Sequence, residues 1–211
     1  MHTPEYRFSL ARIIPLLLVA ALLAACSPPQ PPQLQQGTLL PSAKPIAGFS
    51  LVDQNGDTFT LENLKNQWTF VFFGYTQCPD VCPTSLSMLG QMMRLLEKDP
   101  SLKTLPRGLF VSVDPERDTP ELLAKFVPYF HPDFTGVTGS QEELQKLTRQ
   151  LGILYMKSGD GSEDNYLVDH SATIILFDPD GKFHALFGMP HDPKLIASEF
   201  VMIRDHYEAT Q

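Results

Sequence analysis

Two cysteines stand four positions apart in the segment Cys78-Pro79-Asp80-Val81-Cys82-Pro83. Pro83 suits the first turn of a helix, where its missing N–H would have no partner in any case. That places Cys82 at a helix N-terminus, where the macrodipole favours a thiolate. With three residues between them, the two sulfurs can converge on one point, either to hold a metal jointly or to close a disulfide under some strain. So small a loop is a poor fold staple, which leaves chemistry as the reason for the pair. The spacing is one residue wider than the C-x-x-C of disulfide oxidoreductases. The wider loop shifts the reading from disulfide exchange toward metal holding, with neither excluded.

The elements that must position this pair alternate between strand and helix. Phe49–Val52 and Thr58–Leu61 flank Asn55-Gly56, a hairpin turn signal. Trp68–Gly74 is a near-continuous apolar run, as a strand buried on both faces requires. The cysteine loop follows, then a helix over about 83–97 with Leu86, Leu89, Met93 and Leu96 at helical spacing. Leu109–Val113 is the next strand. Helices are predicted near 120–130 and after Ser140, where Glu143 completes a capping box. Thr173–Phe177 and Lys182–Phe187 form a second hairpin around Asp178–Gly181, and a helix over about 193–207 closes the chain. A βαβ unit followed by an antiparallel ββα unit is the thioredoxin plan: a mixed central sheet flanked by helices, here with an N-terminal hairpin extension. The cysteines fall where that plan keeps its own, between the first central strand and its helix.

Two sulfurs are too few for a structural zinc site, which takes four ligands. Of the six histidines, His170 is the candidate to join them. It lies in Tyr166-Leu167-Val168-Asp169-His170-Ser171, just before the strand near Thr173. In a thioredoxin-like fold that loop faces the cysteine loop, at the place where a cis-proline usually sits. His131 reads as a cap or loop residue, and His184, His191 and His206 as surface or satisfied polar groups. Two thiolates and one imidazole suit Cu(I), or Cu(II) with a further donor; two cysteines do not suffice for an iron–sulfur cluster. Copper, one ion per domain, is the metal predicted. Met88, Met92 and Met93 read as core, and Met189 as a weak further donor.

Three ordered segments then resemble the signatures of the Sco/SenC family: Cys78-Pro-Asp-Val-Cys82-Pro, Ser112-Val-Asp-Pro-Glu-Arg-Asp-Thr-Pro120, and Tyr166-Leu-Val-Asp-His170-Ser. Ser171 stands where many relatives carry Thr. The resemblance covers about residues 44–207. It implies a thioredoxin-like fold, copper on Cys78, Cys82 and His170, and a role in assembling the dinuclear copper centre of cytochrome c oxidase, with the copper-site subunit as partner. That role is delivery of copper or, alternatively, reduction of the target's cysteines by Cys78 and Cys82, whose oxidised form is a disulfide. A redox or copper sensor and a peroxidase-like enzyme rank lower. A second periplasmic copper chaperone or a thiol reductant is a further expected partner. In the central segment, Asp118 or Thr119 before Pro120 reads as a helix cap, Arg117 and Asp118 as an ion pair, and Asp114 or Glu116 as a minor candidate for facing a partner.

The N-terminus reads as an export signal over residues 1–25: Arg7 and Arg12, an apolar run from Ile13 to Leu23, then Ala24-Ala25-Cys26. This resembles a bacterial lipobox, with Cys26 lipidated. Residues 26–43, rich in Pro and Gln, read as a linker, and 44–211 as the copper-binding domain. The predicted address is the periplasm-facing cell envelope, by lipid anchor. Removing Arg7, Arg12 and Glu5 takes the net charge from −8 to −9. An acidic chain with no Lys/Arg cluster argues against nucleic-acid binding and tolerates a cationic cargo.

Overall fold

The strand that carries the cysteine loop lies deep in the sheet. In the computed structural model, which describes residues 30–159 and 166–211, β4 (Thr69–Gly74) is buried at every position. It lies between β5 (Arg107–Ser112), parallel to it, and β9 (Ile174–Phe177), antiparallel to it. Phe72 faces Phe110 on one side and Ile174 on the other. A strand covered on both faces has no polar face to show, hence the unbroken run Phe70-Val71-Phe72-Phe73.

The full sheet has eight strands in the order β1-β10-β9-β4-β5-β6-β2-β3. β10 (Phe183–Phe187) pairs antiparallel with β9, and β1 (Gly37–Lys44) with β10. On the other side β6 (Thr135–Thr138) runs parallel to β5, while β2 (Ser50–Asp53) and β3 (Thr58–Thr60) add the N-terminal hairpin. A separate two-stranded ribbon, β7 (Tyr155–Gly159) with β8 (Tyr166–His170), pairs Tyr155 with His170.

Helix α1 (Val81–Leu96) follows the cysteine loop and buries Leu86, Met88, Leu89, Met92, Met93 and Leu96, so those methionines are core as predicted. Helix α2 (Pro120–Phe126) starts on Thr119, whose hydroxyl accepts the Leu122 N–H, and sets Phe126 against Phe110. Helix α3 (Gln141–Leu151) starts on Ser140 and ends at Gly152, whose φ of +70° favours glycine. The capping box predicted there is only half formed: Ser140 Oγ accepts the Glu143 N–H, but the Glu143 carboxylate accepts the backbone N–H of Ser50 instead. It ties α3 to β2. Helix α4 (Pro193–Ala209) seats Phe200 edge-on to Trp68 and against Phe70.

The described residues divide into a main unit, 33–201, and a smaller one that includes 30–32 and 202–211. In the latter, Arg204 pairs with Asp205 and the Thr210 hydroxyl donates to the His206 carbonyl. The segment read as a linker to residue 43 carries β1. Pro41 is compatible with a strand there because β1 is a sheet edge and its register shifts between Leu39 and Lys44. At the start of β1 the buried carboxylate of Glu199 accepts the N–H groups of Gln35 (2.6 Å), Gln36 (3.0 Å) and Gly37 (2.7 Å). The predicted signal segment 1–25 and Cys26 lie outside the described residues. Among the described residues no helix is long and apolar enough to cross a membrane.

Candidate metal centre

The chain leaves β4 at Gly74 and turns at Tyr75, whose carbonyl accepts the Cys78 N–H at 3.3 Å. Asp118, fully buried, holds this loop. Its carboxylate accepts the Thr76 N–H (2.8 Å), the Thr76 hydroxyl (2.6 Å) and the Ser112 hydroxyl (2.6 Å). Burial pushes the Asp118 pKa up despite those donors. Arg117 therefore does not pair with Asp118 as predicted; its Nε lies 2.5 Å from Asp114. Asp118 is turned inward to the loop, while Asp114 sits one i,i+3 step before Arg117 on the same turn. Asp114 is itself buried, which removes it as a partner-facing residue, and Glu116 pairs with Lys157.

Cys82 falls in the first turn of α1 and is fully buried, whereas Cys78 is half-buried; both are free thiols. Asp80, the residue before the helix, makes no side-chain cap, and the Cys82 N–H instead donates to the Cys78 sulfur at 3.4 Å. Cys82 packs against Gly74 so closely that a Cβ there would lie 2.5 Å from its sulfur. The predicted preference of Cys82 for thiolate is overturned in the metal-free protein. Burial, reinforced by the neighbouring Cys78, pushes its pKa upward. A helix terminus contributes at most about 2 kcal/mol, whereas burial moves such groups by up to roughly 3–5 pKa units, about twice to three times as much.

His170 ends β8 rather than lying in a loop, and its imidazole sits edge-on to Phe72 and Tyr75, with ring centroids 6.0 Å away in each case. Its Nδ1 lies 3.2 Å from the Ser171 carbonyl. A carbonyl can only accept, so Nδ1 carries the proton and the Nε2 lone pair is free. That lone pair faces Cys82 Sγ at 3.1 Å, and the thiol donates to it. Burial lowers the His170 pKa, keeping the ring neutral near pH 7. The ligating atoms of Cys78, Cys82 and His170 lie within 4.8 Å of one another, so the structure brings together all three predicted site residues. Asp169, next to His170, is not among the groups bonded to its ring.

A second cluster, Glu97, His131 and Asp133, also has metal-ligand spacing. There both imidazole nitrogens are already used: Nδ1 accepts the Asp133 N–H and Nε2 donates to Glu97. It is a satisfied polar group, as is His184 against Asp178. His191 departs from that pattern, since its buried Nε2 has no partner among the described residues. Met189 is exposed in its loop.

Sequence reasoning missed Thr76, Tyr75 and Tyr166. The Tyr166 hydroxyl donates to Asp114 at 2.6 Å, and the Arg117 guanidinium stacks 3.6 Å above the Tyr166 ring. The signal available was Asp114 three positions before Arg117, the spacing of an ion pair on one turn.

A mixed sheet with one cysteine between its central strand and the following helix and a second in that helix's first turn, faced by a histidine from another strand, defines a thioredoxin-like domain with a three-donor soft-metal site. The SCO1/SenC family model matches residues 39–204, and the chain belongs to that family. A SCO2-like protein of Rickettsia felis is 36% identical over 177 residues, covering 83% of this chain and 85% of that protein. The crystal structure of Arabidopsis thaliana ScoI with copper bound is similar at 36% identity and a TM-score of 0.70, covering 75% of this chain and 98% of the other. Bradyrhizobium japonicum ScoI, also with copper bound, is similar at 36% identity and a TM-score of 0.66, over 77% and 99% of the two chains.

Proposed function

We propose that this protein binds one copper ion through Cys78, Cys82 and the Nε2 of His170, and hands it on during assembly of the dinuclear copper centre of cytochrome c oxidase. The observation that carries this reading is the donor set: two sulfurs and an imidazole lone pair converge within 4.8 Å. A soft, three-donor arrangement of this kind suits copper. Family membership and the copper-bound relatives support the same metal. Binding displaces the proton of the buried Cys82 thiol, so copper capture is coupled to proton release. The Nδ1 contact to Ser171 fixes the ring so that Nε2 needs no rearrangement to ligate.

The test is metal analysis with absorption spectroscopy on reduced protein loaded with copper. Wild type retains one equivalent and, as Cu(II), shows a thiolate charge-transfer band. His170→Ala loses or shifts that band, and Cys78→Ala and Cys82→Ala retain no copper. Unchanged binding by His170→Ala overturns the ligand set.

One observation favours a second role. Cys78 is half-buried and Cys82 fully buried, the division of labour of an attacking and a resolving thiol. Cys78 attacks a disulfide of the oxidase subunit, forming a mixed disulfide and releasing one target thiol. Cys82 then displaces the second, leaving a Cys78–Cys82 disulfide, with two electrons and two protons passed to the target. Reduction of an oxidase-derived disulfide peptide no faster than by a free thiol removes this role. Residues 1–25 and Cys26 support export and a lipid anchor on the periplasmic side of a bacterial membrane. Labelling with a lipid precursor, lost in Cys26→Ala, tests that.

A further inference from the structure

The two halves of the site come from different places, and one side chain contacts the segment that carries each. Cys78 and Cys82 sit on the loop and helix that follow the central strand. His170 sits on β8, whose ladder partner is β7, outside the main sheet. Arg117, on the loop after β5, reaches toward each. Its Nη1 donates to the Tyr166 carbonyl at the start of β8 (3.0 Å), with a longer contact to Gln77 Oε1 beside Cys78 (3.4 Å). Its Nε is held by Asp114, which also accepts the Tyr166 hydroxyl. The guanidinium lies 3.6 Å from the Tyr166 ring centre and 5.6 Å from that of Tyr75.

We propose that Arg117, with Asp114 and Tyr166, is a positioning device that sets the distance between His170 and the cysteine pair. Arg117 ligates nothing; it acts on the metal only through where β8 sits. A planar guanidinium with Nε on a carboxylate, Nη1 on a carbonyl and a face on an aromatic ring fixes orientation as well as charge, and lysine cannot reproduce this. Lys157 Nζ also lies over the Tyr166 ring, 4.6 Å from its centre. Strand β8 is thereby pinned at its first residue, four positions from His170.

The proposal rests on the copper reading, and two measurements separate it from that reading. The first needs no metal. In the reduced, metal-free protein, Arg117→Lys raises amide exchange across β8 by roughly tenfold, the worth of one charged hydrogen bond, while β4 and β5 keep their protection. Tyr166→Phe, which keeps the ring and loses the bond to Asp114, has a smaller effect in the same strand. Unchanged β8 exchange, or acceleration spread equally over the sheet, overturns the proposal. Should Arg117→Ala fail to fold, the lysine and phenylalanine variants carry this arm.

The second measurement is copper retention against a competing chelator in a double-mutant cycle. Arg117→Lys weakens retention by about tenfold, the low end for partners outside the ligand shell, and adds nothing in a His170→Ala background. An equal loss in both backgrounds means a general structural role and overturns the proposal. If wild type retains no copper, the function proposed above falls, and the exchange measurement still decides the role of Arg117.

Discussion

The core around β4 and the β7–β8 ribbon supply the same site from opposite kinds of structure. In the first, Phe70, Phe72, Phe73 and Phe110 are fully buried, and so is Cys82, packed against Gly74. In the second, Met156 and Leu167 are exposed to solvent, and Val168 is the one ribbon side chain that is buried among those described. Cys82 is positioned by packing, with Asp118 holding the loop ahead of it, whereas His170 rests its ring on Phe72 and Tyr75 but is carried by a strand tied down by a few polar contacts. Packing forces are dense and do not depend on pH, whereas a latch of hydrogen bonds opens locally at far lower free energy than the core. A site that must both hold and release an ion gains from having one donor on the softer support.

This contrast makes graded predictions. Phe110→Ala should cost about 3–5 kcal/mol in a chemical denaturation experiment, because the ring is fully buried and packs against Phe126 of α2. Gly74→Ala should cost about 1–3 kcal/mol by overpacking and also disturb the copper spectrum, since the new methyl group meets the Cys82 sulfur. A change of pH should come next. His170 has a lowered pKa, so its share of stability is present above 6.5, the value for an unperturbed histidine, and is lost as pH falls below that. Cys82 has a raised pKa, so its share is present below 9.0 and declines as pH rises further. The metal-free wild type should therefore lose melting temperature on both sides of neutrality. His170→Ala should flatten the acid limb, and Cys82→Ser the alkaline one. Smallest of all, Leu167→Ser on the ribbon should stay within about 0.5 kcal/mol of wild type. A large loss there would mean that the ribbon is packed more tightly than its exposure indicates.

How far the sequence revealed this arrangement followed from the same contrast. Trp68–Gly74 and Leu109–Val113 were plain as strands because burial on both faces leaves an unbroken apolar run. The cysteine loop and α1 were plain because Pro83 and the helical spacing of Leu86, Leu89 and Met93 agree. β6, Thr135-Gly136-Val137-Thr138, is too short and too polar to stand out, and is a strand because β5 and β2 hold it on either side. β7 and β8 were missed because their pairing satisfies each other and not the core, so alternation is hardly visible; Tyr166–His170 read as a loop. His170 was nonetheless identified, since its place ahead of Thr173 sufficed. The Asp114–Arg117 pair was misassigned to Asp118, because adjacency in sequence does not say which carboxylate a turn directs inward. The linker reading ran too far for a similar reason: Gln35 to Gly37 look featureless until Glu199, over 160 positions later, accepts their backbone N–H groups.

That grip by Glu199 has a mechanical consequence. It makes Gln35 a fixed point on the main unit for anything attached further up the chain. From Cys26 to Gln35 is nine residues, and a fully extended chain spans at most about 3.3–3.6 Å per residue, or roughly 30 Å. If Cys26 carries a lipid and the copper is handed on, both as proposed, Gln35 lies within that distance of the membrane surface, and an acceptor would have to present its copper site correspondingly close to it.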